Sequence, residues 1–532
     1  MKYLIFLFSL ITVFTTQAQS TLTIPSQPIK ITADGIPDTT IFLARYFGSK
    51  LFYADTAVSK DGVFEYEGSK HRGGLYAFLL PNGKPFDFII DNEPIEMHIR
   101  DIEDPIGSIN VKQSINNQLF FKYMNYMNKK RKESQGYGSL MTAPDASDAD
   151  KEKYKAELSK INDDVVGMQQ EIIKNHSDKF IGLMLDMTID TKLPENPRDE
   201  DGNITDSNFV YRYYIEHYWD NVDLKDFRTV NTPVFHNKLD KYFSMKGVMQ
   251  IPDTVFHYAQ ELINKTDILD QDNKVFYYIV HHITNKYETS QIMGMDRVFY
   301  YMAKNYYCPP NNLAYWMPEE STTKVCDRAE KIGRTLVNNP SIPLILTDST
   351  EKNWISTYDI DAKYTVLYFW DPNCGHCKKV TPKLQTLYDK KFKEREVEVY
   401  AIGKATGDEF KKWKEFIVKH ELSFYNVGVT PKVYKAATDT ANGQAALSEL
   451  LRNHTTLQSL NYADTWDVYS TPRIFILDEN KKIIYKQVSI GQLEEIIDKL
   501  TGHEADEKLF PLSDPENGDN PPEEDEAHPE PK

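Results

Sequence analysis

This chain has few cysteines, no excess of basic charge and no long apolar run. Only four cysteines occur among its 532 residues, too few for disulfides to replace a hydrophobic core. The formal net charge of −17 argues against a general affinity for nucleic acid, because such binding depends on Lys and Arg that neutralise phosphates. No apolar run reaches the ~20 residues of a membrane-spanning helix, so we expect no stable membrane anchor.

The first residues have the pattern of a secretory signal peptide. A basic start at Lys2 is followed by an apolar run from Leu4 to Phe14 and then by small and polar residues, which is the order found in such peptides. We therefore predict a signal peptide over residues 1–18, with cleavage near Ala18, and an exported protein. No cysteine stands near the cleavage site, which argues against a lipid anchor.

The length and patterning of the chain predict a multidomain protein. Between residues 20 and 112, short β-type runs such as Thr40–Phe47 and Ile95–Ile99 are separated by turn residues, which predicts a small all-β sandwich or barrel. From Asn117 onward, apolar residues recur at helical spacing. This periodicity predicts an α-helical domain over residues 113–340.

The part of the chain from 341 to 502 predicts an α/β domain. Tyr364–Trp370 is a continuous apolar run typical of a strand buried on both faces. Strands alternate with helices and are followed by a hairpin, with strands predicted at 473–478 and 482–487. This order predicts a central mixed sheet flanked by helices.

The last segment, residues 503–532, has a different composition. It contains eleven Asp or Glu and two Lys, together with many prolines and few apolar residues. Such a composition predicts an acidic disordered tail, because it cannot bury enough apolar surface to fold. A specific acidic docking tail is the alternative.

Cys374 and Cys377 are separated by two residues, at the point where a buried strand is expected to meet a helix. Unpaired backbone N–H groups at a helix N-terminus stabilise a thiolate, and the thiolate is the nucleophile of disulfide exchange. We predict that Cys374 is the exposed attacking thiol and Cys377 the buried resolving thiol. A protonated His376 would favour the thiolate further. Apart from this redox-active pair, we expect no cofactor.

A C-x-x-C motif alone allows other interpretations. A zinc site would need a second pair of ligands, and the remaining cysteines, Cys308 and Cys326, lack the pair spacing; we therefore predict no metal. A c-type haem site needs His directly after the second cysteine, where this chain has Lys378. An inert structural disulfide remains as an alternative. Spacing alone leaves open whether Cys308 and Cys326 pair with each other or stay as thiols.

Two segments resemble the signatures of the thioredoxin superfamily. The first is Tyr364–Pro382, with an aromatic pair before the motif, Lys378-Lys379 after it, and Pro382 eight residues past Cys374. The second is Tyr469–Asp478, which contains Thr471-Pro472. The resemblance implies that Pro472 is a cis-proline and that Thr471 pairs with the backbone of the substrate. It further implies supporting or substrate-contacting roles for these residues: Gly375, His376, Pro382, Trp370, Thr471 and Pro472.

The closer resemblance is to exported TlpA/ResA-like thiol–disulfide oxidoreductases. These proteins carry a strand–helix insertion between the two signatures, as residues 396–420 would supply here, and this chain has a further, mostly helical insertion at about 428–462. Its two leading domains resemble domains of unknown function that precede such modules in Gram-negative bacteria. The resemblance implies a periplasmic location, with client protein thiols or disulfides and a membrane thiol donor as partners.

Two departures from the family affect the expected mechanism. Tyr368 stands where many thioredoxins have a buried Asp, and Val380 stands where ResA-like reductases have a Glu. Both acids act as proton relays in the family, so the base for Cys377 stays unassigned among water, Lys378 and Tyr368. We predict a reductase. The alternatives are an oxidase or isomerase of the same fold, or a binding or scaffold protein whose N-terminal domains engage a partner.

Overall fold

The computed structural model describes residues 27–143, 147–290, 292–438 and 443–518. The predicted signal peptide therefore lies outside the described residues. By compactness the chain divides into two units, one that ends at Leu239 and one that begins at Asp240.

Two four-stranded sheets form the first part of the N-terminal unit and confirm the predicted all-β domain. Their orders are β4-β1-β7-β8 and β3-β2-β5-β6, and their buried side chains belong to one hydrophobic core. In the first strand the buried residues Ile29, Ile31 and Ala33 alternate with more exposed ones, as expected when one face is packed. The strands are β1 Pro28–Ala33, β2 Thr40–Phe47, β3 Lys50–Val58, β4 Val63–Glu67, β5 Gly74–Leu79, β6 Pro85–Ile90, β7 Ile95–Ile99 and β8 Ile109–Gln113.

Helices fill the middle of the chain, as its periodicity predicts. Phe120 and Phe180 are buried in the same core as the sandwich. Ser114 and Ser147 cap the two longest helices, where each side chain accepts a hydrogen bond from a first-turn N–H group. The helices are α1 Pro105–Ser108, α2 Ile115–Met141, α3 Asp148–Asn175, α4 Phe180–Asp186, α5 Phe209–His217, α6 Pro233–Tyr242, α7 Pro252–Asn264, α8 Val275–Glu288, α9 Asp296–Met302 and α10 Glu319–Arg334.

Cys308 and Cys326 form a disulfide. Their Cα atoms are 5.6 Å apart, within the range that a disulfide can bridge. The bond joins the turn after α9 to the middle of α10. The pairing that spacing left open is therefore the intramolecular one.

A seven-stranded mixed sheet forms the centre of the C-terminal domain and confirms the predicted α/β fold. Its order is β10-β9-β13-β12-β11-β14-β15, with β11, β12 and β13 parallel and the other pairings antiparallel. Along β11, Val366 and Tyr368 face one core, whereas Leu367 and Phe369 face another, so this strand is buried on both sides. The strands are β9 Ile345–Asp348, β10 Trp354–Ser356, β11 Tyr364–Trp370, β12 Val397–Gly403, β13 Tyr425–Gly428, β14 Arg473–Leu477 and β15 Ile483–Lys486.

Helices cover both faces of this sheet. Leu384 and Leu493, from α11 and α17, belong to the core of one face, and Val433 and Trp466, from the helical insertion, belong to the core of the other. The last long helix begins with a capping box at Ser489. The helices are α11 Gly375–Leu387, α12 Glu409–Lys419, α13 Pro431–Thr438, α14 Gly443–Asn453, α15 Leu457–Leu460, α16 Tyr462–Thr465, α17 Ile490–Thr501 and α18 Pro515–Gly518.

Residues 503–518, which we call the C-terminal strap, correct the prediction of a disordered tail that begins at 503. Glu494 on α17 is 0% exposed and accepts hydrogen bonds from the backbone N–H groups of Leu509 (2.8 Å) and Phe510 (2.7 Å). Asp498, also buried, pairs with Lys508 of the strap. Donors from the strap add to those of Lys391 and Arg395 around the carboxylates that are buried on α17. The composition of the strap does not reveal these partners. Residues 519–532 lie outside the described residues.

The C-terminal strap should contribute strongly to the stability of its unit. Deleting residues 503–532 removes three donors from buried carboxylates, so we expect the free energy of unfolding to fall by about 3 kcal/mol. Urea denaturation followed by fluorescence would measure this loss. Deleting only 519–532 is the matched control, because it leaves all of these contacts in place, and equal stability of the two truncated chains would contradict the prediction.

The disulfide should also stabilise the fold. It closes a loop across a sequence separation of 18 residues, for which loop-closure entropy predicts a contribution of about 3 kcal/mol. The double variant Cys308→Ser/Cys326→Ser should therefore unfold at a clearly lower urea concentration than the native chain. Since a disulfide is absent from the reduced protein as well, dithiothreitol should erase this difference; a difference that persists under reduction would assign it to packing instead.

Candidate active site

The two cysteines of the C-x-x-C motif lie where β11 meets α11. Asp371 closes the turn between β11 and α11. Its side chain accepts a hydrogen bond from Asn373 N (2.7 Å), and its carbonyl accepts one from Cys374 N (3.1 Å). Cys374 is the N-cap of α11, and its Sγ accepts a hydrogen bond from Cys377 N at 3.3 Å. An N–H group of the first turn, which has no acceptor within the helix, therefore points at the Cys374 sulfur and stabilises its thiolate.

The two sulfurs have different environments. Both cysteines are thiols in this structure; Cys374 is half-buried, whereas Cys377 is buried. Burial raises the pKa of Cys377 to about 12, although hydrogen bonds from Asp371 and Thr471 oppose the shift. At neutral pH Cys377 is therefore a protonated thiol. Only Cys374 is reachable by a second molecule.

Thr471 and Pro472 lie directly opposite the motif. The peptide bond between them is cis, and the carbonyl of Thr471 accepts a hydrogen bond from Cys374 Sγ at 3.3 Å. The fold thus joins two segments that are 97 residues apart. The role of Thr471 in pairing with a substrate backbone stays a prediction.

The burial of Trp370 corrects one predicted role. Its side chain is 1% exposed and packs against Phe416, with 5.2 Å between ring centroids. A client polypeptide cannot reach a side chain at this depth. Trp370 is a core residue at the end of β11 rather than a substrate contact.

Gly375 and His376 separate the cysteines in different ways. A Cβ atom added at Gly375 would meet open space, so this position leaves the approach to Cys374 clear. Burial, and then the charges of Lys379 and Lys383, lower the pKa of His376 below its ordinary value. The positive charge expected on His376 is therefore largely absent at neutral pH, because a half-buried imidazole beside two cations loses its proton readily.

Tyr368 is buried behind Cys377, at the position of the missing acid. Its hydroxyl is 2.7 Å from Thr381 Oγ1, which in turn donates to the carbonyl of Cys377 at 2.8 Å. Burial, and next the charge of a Cys377 thiolate, raises the pKa of Tyr368 well above its ordinary value. Tyr368 therefore stays protonated and cannot serve as the base.

Two neighbours of the site were not singled out by the sequence. Thr381 joins Tyr368 to the backbone of Cys377. The sequence feature that could have indicated this role is the position of Thr381 one turn after the second cysteine, where its hydroxyl can donate to a carbonyl of the preceding turn. Lys404 lies 3.4 Å from the carboxylate of Asp371, and it is brought there only by the parallel pairing of β12 with β11. Pro382 lies inside α11, as its spacing from the motif indicates.

The described residues were also searched for metal and membrane features. Within them, no group of three or more His, Cys, Asp or Glu side chains could hold a metal ion. None of their helices combines the length and the apolar character needed to cross a membrane.

Sequence profiles of three families match the chain. Residues 339–486 match the AhpC/TSA family. Residues 146–334 match the domain of unknown function DUF5106, and residues 28–120 match the domain of unknown function DUF4369. No curated protein matches the chain.

Several solved structures are similar to parts of the chain. A thioredoxin-like protein from Bacteroides caccae is 18% identical and aligns over 58% of this chain and 99% of its own, with a TM-score of 0.41. A domain of a possible thiol-disulfide isomerase from Cytophaga hutchinsonii is 30% identical over 32% of this chain and 94% of its own (TM-score 0.23). The thioredoxin domain of a thiol-disulfide oxidoreductase from Bacteroides vulgatus is 19% identical over 31% and 97% (TM-score 0.24).

The matched range 339–486 contains the features that define the candidate site. It includes both cysteines at the start of α11, the cis peptide bond before Pro472, and all but the last helices of the mixed-sheet domain. The C-terminal region is therefore a thioredoxin-like domain of the AhpC/TSA family, and the chain is a member of the thioredoxin-like thiol–disulfide oxidoreductases.

Proposed function

We propose that this protein is a periplasmic dithiol reductase that exchanges disulfides with client proteins through Cys374 and Cys377. The observation that carries the proposal is the asymmetry of the two sulfurs. Cys374 is accessible and accepts the N–H group of Cys377, whereas Cys377 is buried one turn deeper. This is the arrangement that a nucleophilic and a resolving thiol require.

The reaction is a two-electron transfer to the client. The Cys374 thiolate attacks one sulfur of the client disulfide, forms a mixed disulfide and releases the other client sulfur as a thiolate, which takes up a proton. Cys377 then loses its proton and attacks Cys374 Sγ. This step closes the Cys374–Cys377 disulfide and releases the second client thiol. A membrane dithiol carrier would then return two electrons to the pair.

The environment of the pair favours the reducing direction. A strongly oxidising pair needs a reduced form that is stabilised as a thiolate. Here His376 carries little charge because its own pKa is lowered, so it adds little to the stabilisation that the helix N-terminus gives a Cys374 thiolate. Without a charged imidazole beside Cys374, the dithiol form is less stabilised than a strong oxidant requires, and this supports the reducing direction.

Two observations support export. The first residues have the order of a signal peptide, and Cys308–Cys326 is a second cysteine pair, separate from the C-x-x-C motif, that forms a disulfide. Structural disulfides persist in oxidising compartments such as the periplasm. We infer from both that the mature protein works outside the cytoplasm.

A pair of single variants tests the proposed exchange. Cys377→Ser should trap clients as mixed disulfides on Cys374, because the resolving thiol is missing, and Cys374→Ser should trap none. Non-reducing electrophoresis of a reaction with a disulfide-bonded peptide, with and without dithiothreitol, measures the adduct. If partner capture by the Cys374→Ser protein equals that of the native chain, a binding or scaffold role replaces the enzyme.

The reduction potential of the Cys374–Cys377 pair decides the direction of electron flow: ~−270 mV fits a reductase and ~−120 mV an oxidant.

The second step should depend steeply on pH. Since the pKa of Cys377 is about 12, its thiolate fraction rises about tenfold per pH unit across the neutral range. Resolution of a preformed Cys374–glutathione mixed disulfide should therefore accelerate about tenfold from pH 7 to pH 8, as followed by quenched-flow mass spectrometry. Tyr368→Phe is the control and should keep this slope, because Tyr368 is no base. If the rate of resolution in the native chain reached a plateau below pH 8, and Tyr368→Phe removed that plateau, both the raised pKa of Cys377 and the exclusion of Tyr368 as the base would be contradicted.

A further inference from the structure

Tyr469 is an exposed aromatic residue beside the candidate active site. It stands two residues before Thr471, whose carbonyl accepts from Cys374, and it is 63% exposed. Tyr is one of the residue types that contribute most to binding when a partner covers them, so an accessible Tyr next to this site is a candidate contact for a polypeptide client.

Helix α10 holds this ring from the side. The guanidinium carbon of Arg328 lies 5.7 Å from the centroid of the Tyr469 ring, within the distance of a cation–π interaction. One turn later, Lys331 Nζ lies 3.5 Å from the Tyr469 hydroxyl and pairs with Asp464 of α16. The segment before the cis peptide bond is therefore contacted by residues that the thioredoxin fold itself does not supply.

The helix is in turn fixed to the edge of the mixed sheet. Lys486 of β15 is buried, pairs with Asp296 of α9 and donates to the carbonyl of Thr335 at 3.0 Å. The chain after α10 pairs with β15 through backbone hydrogen bonds from Asn338 N to Ile483 O (2.8 Å) and from Ile483 N to Asn339 O (2.9 Å). These bonds leave α10 little freedom to move relative to the sheet.

Three contacts also fix α10 to the helices and turns that precede it. The disulfide joins Cys326, two residues before Arg328, to Cys308. At Gly333 the helix approaches Tyr300 of α9 so closely that an added Cβ atom would lie 2.6 Å from its ring. Arg328 is itself anchored by Glu288 of α8 at 3.1 Å. The guanidinium is thus presented from a rigid support.

We propose that Arg328 and Lys331 are positioning residues for client binding, which hold Tyr469 so that its exposed face packs against the client polypeptide next to the reacting disulfide. The inference rests on the proposed exchange reaction. It assigns to the helical segment a share in recognising polypeptide clients. A small disulfide such as glutathione disulfide needs only Cys374 and would not require the Tyr469 surface.

The test compares a disulfide-bonded peptide with glutathione disulfide as substrates of the full chain. Arg328→Ala should raise KM for the peptide on the order of 5-fold, the loss expected for one cation–π contact, with kcat unchanged and glutathione disulfide reduced at the native rate. The matched control is Lys324→Ala on the same helix, because the Lys324 side chain is 74% exposed and forms its ion pair with Glu320, one turn away on that helix.

A second pair of variants acts on the ring itself, in case loss of the Glu288 contact unfolds the Arg328 variant. Tyr469→Ala should raise the peptide KM at least as much as Arg328→Ala. Tyr469→Phe should rescue it, because the ring is what both the guanidinium and the client contact. A native KM for Tyr469→Ala, or an equal loss for peptide and glutathione disulfide, would overturn the inference while the proposed function stands. A native chain that reduces neither substrate would overturn both.

Discussion

The site depends on the hydrogen bond from the Cys377 N–H group to the Cys374 sulfur. That bond requires Cys374 to be the N-cap of a helix that starts as soon as a buried strand ends. β11 supplies this strand from the middle of the sheet, between a parallel neighbour and an antiparallel one. The antiparallel neighbour, β14, begins one residue after Pro472. The same sheet register therefore places Thr471 against the sulfur.

Burial controls both the geometry and the chemistry of the second thiol. Cys377 packs into the core with Tyr368 and Val380, and neither side chain can take its proton. Burial therefore leaves the Cys377 thiol more stable than its thiolate, and neither of these two positions carries an acid that could relay its proton. Because a half-buried His376 adds little charge, the polar environment of the pair comes mainly from backbone groups at the start of α11. Such an environment favours the thiolate of Cys374, whereas burial keeps Cys377 protonated.

Much of this arrangement could be predicted from the sequence, because apolar runs and motif spacing are local signals. Strands β11, β12, β14 and β15 of the α/β domain, the start of α11 and the Thr471-Pro472 pair are examples. The failures concern partners that are distant in sequence. The sequence around Trp370 does not indicate whether its side chain is buried or exposed. The side chain is buried because residues distant in sequence, such as Phe416, pack against it. Strand β3, Lys50–Val58, lacks regular alternation of buried and exposed residues, so periodicity did not reveal it. The strap is acidic in composition, and the residues that bind it, among them Glu494, Asp498 and Arg395, lie in other elements of the domain.

What distinguishes this chain from a minimal thioredoxin domain is attached at the edges of its sheet. The segment from Asn338 to Ser341 pairs with β15 and so covers a strand edge that would otherwise be open to other chains. The same pairing holds the end of α10 at the sheet, and residues of this helix contact Tyr469. The strap is anchored on α17 and also contacts the active-site helix, where Lys383 Nζ of α11 donates to Asn517 Oδ1 of the strap at 2.7 Å. The reactive sulfurs are thus presented by a common core, while the surface around them is built from additions, and it is in those additions that selectivity between clients would have to reside.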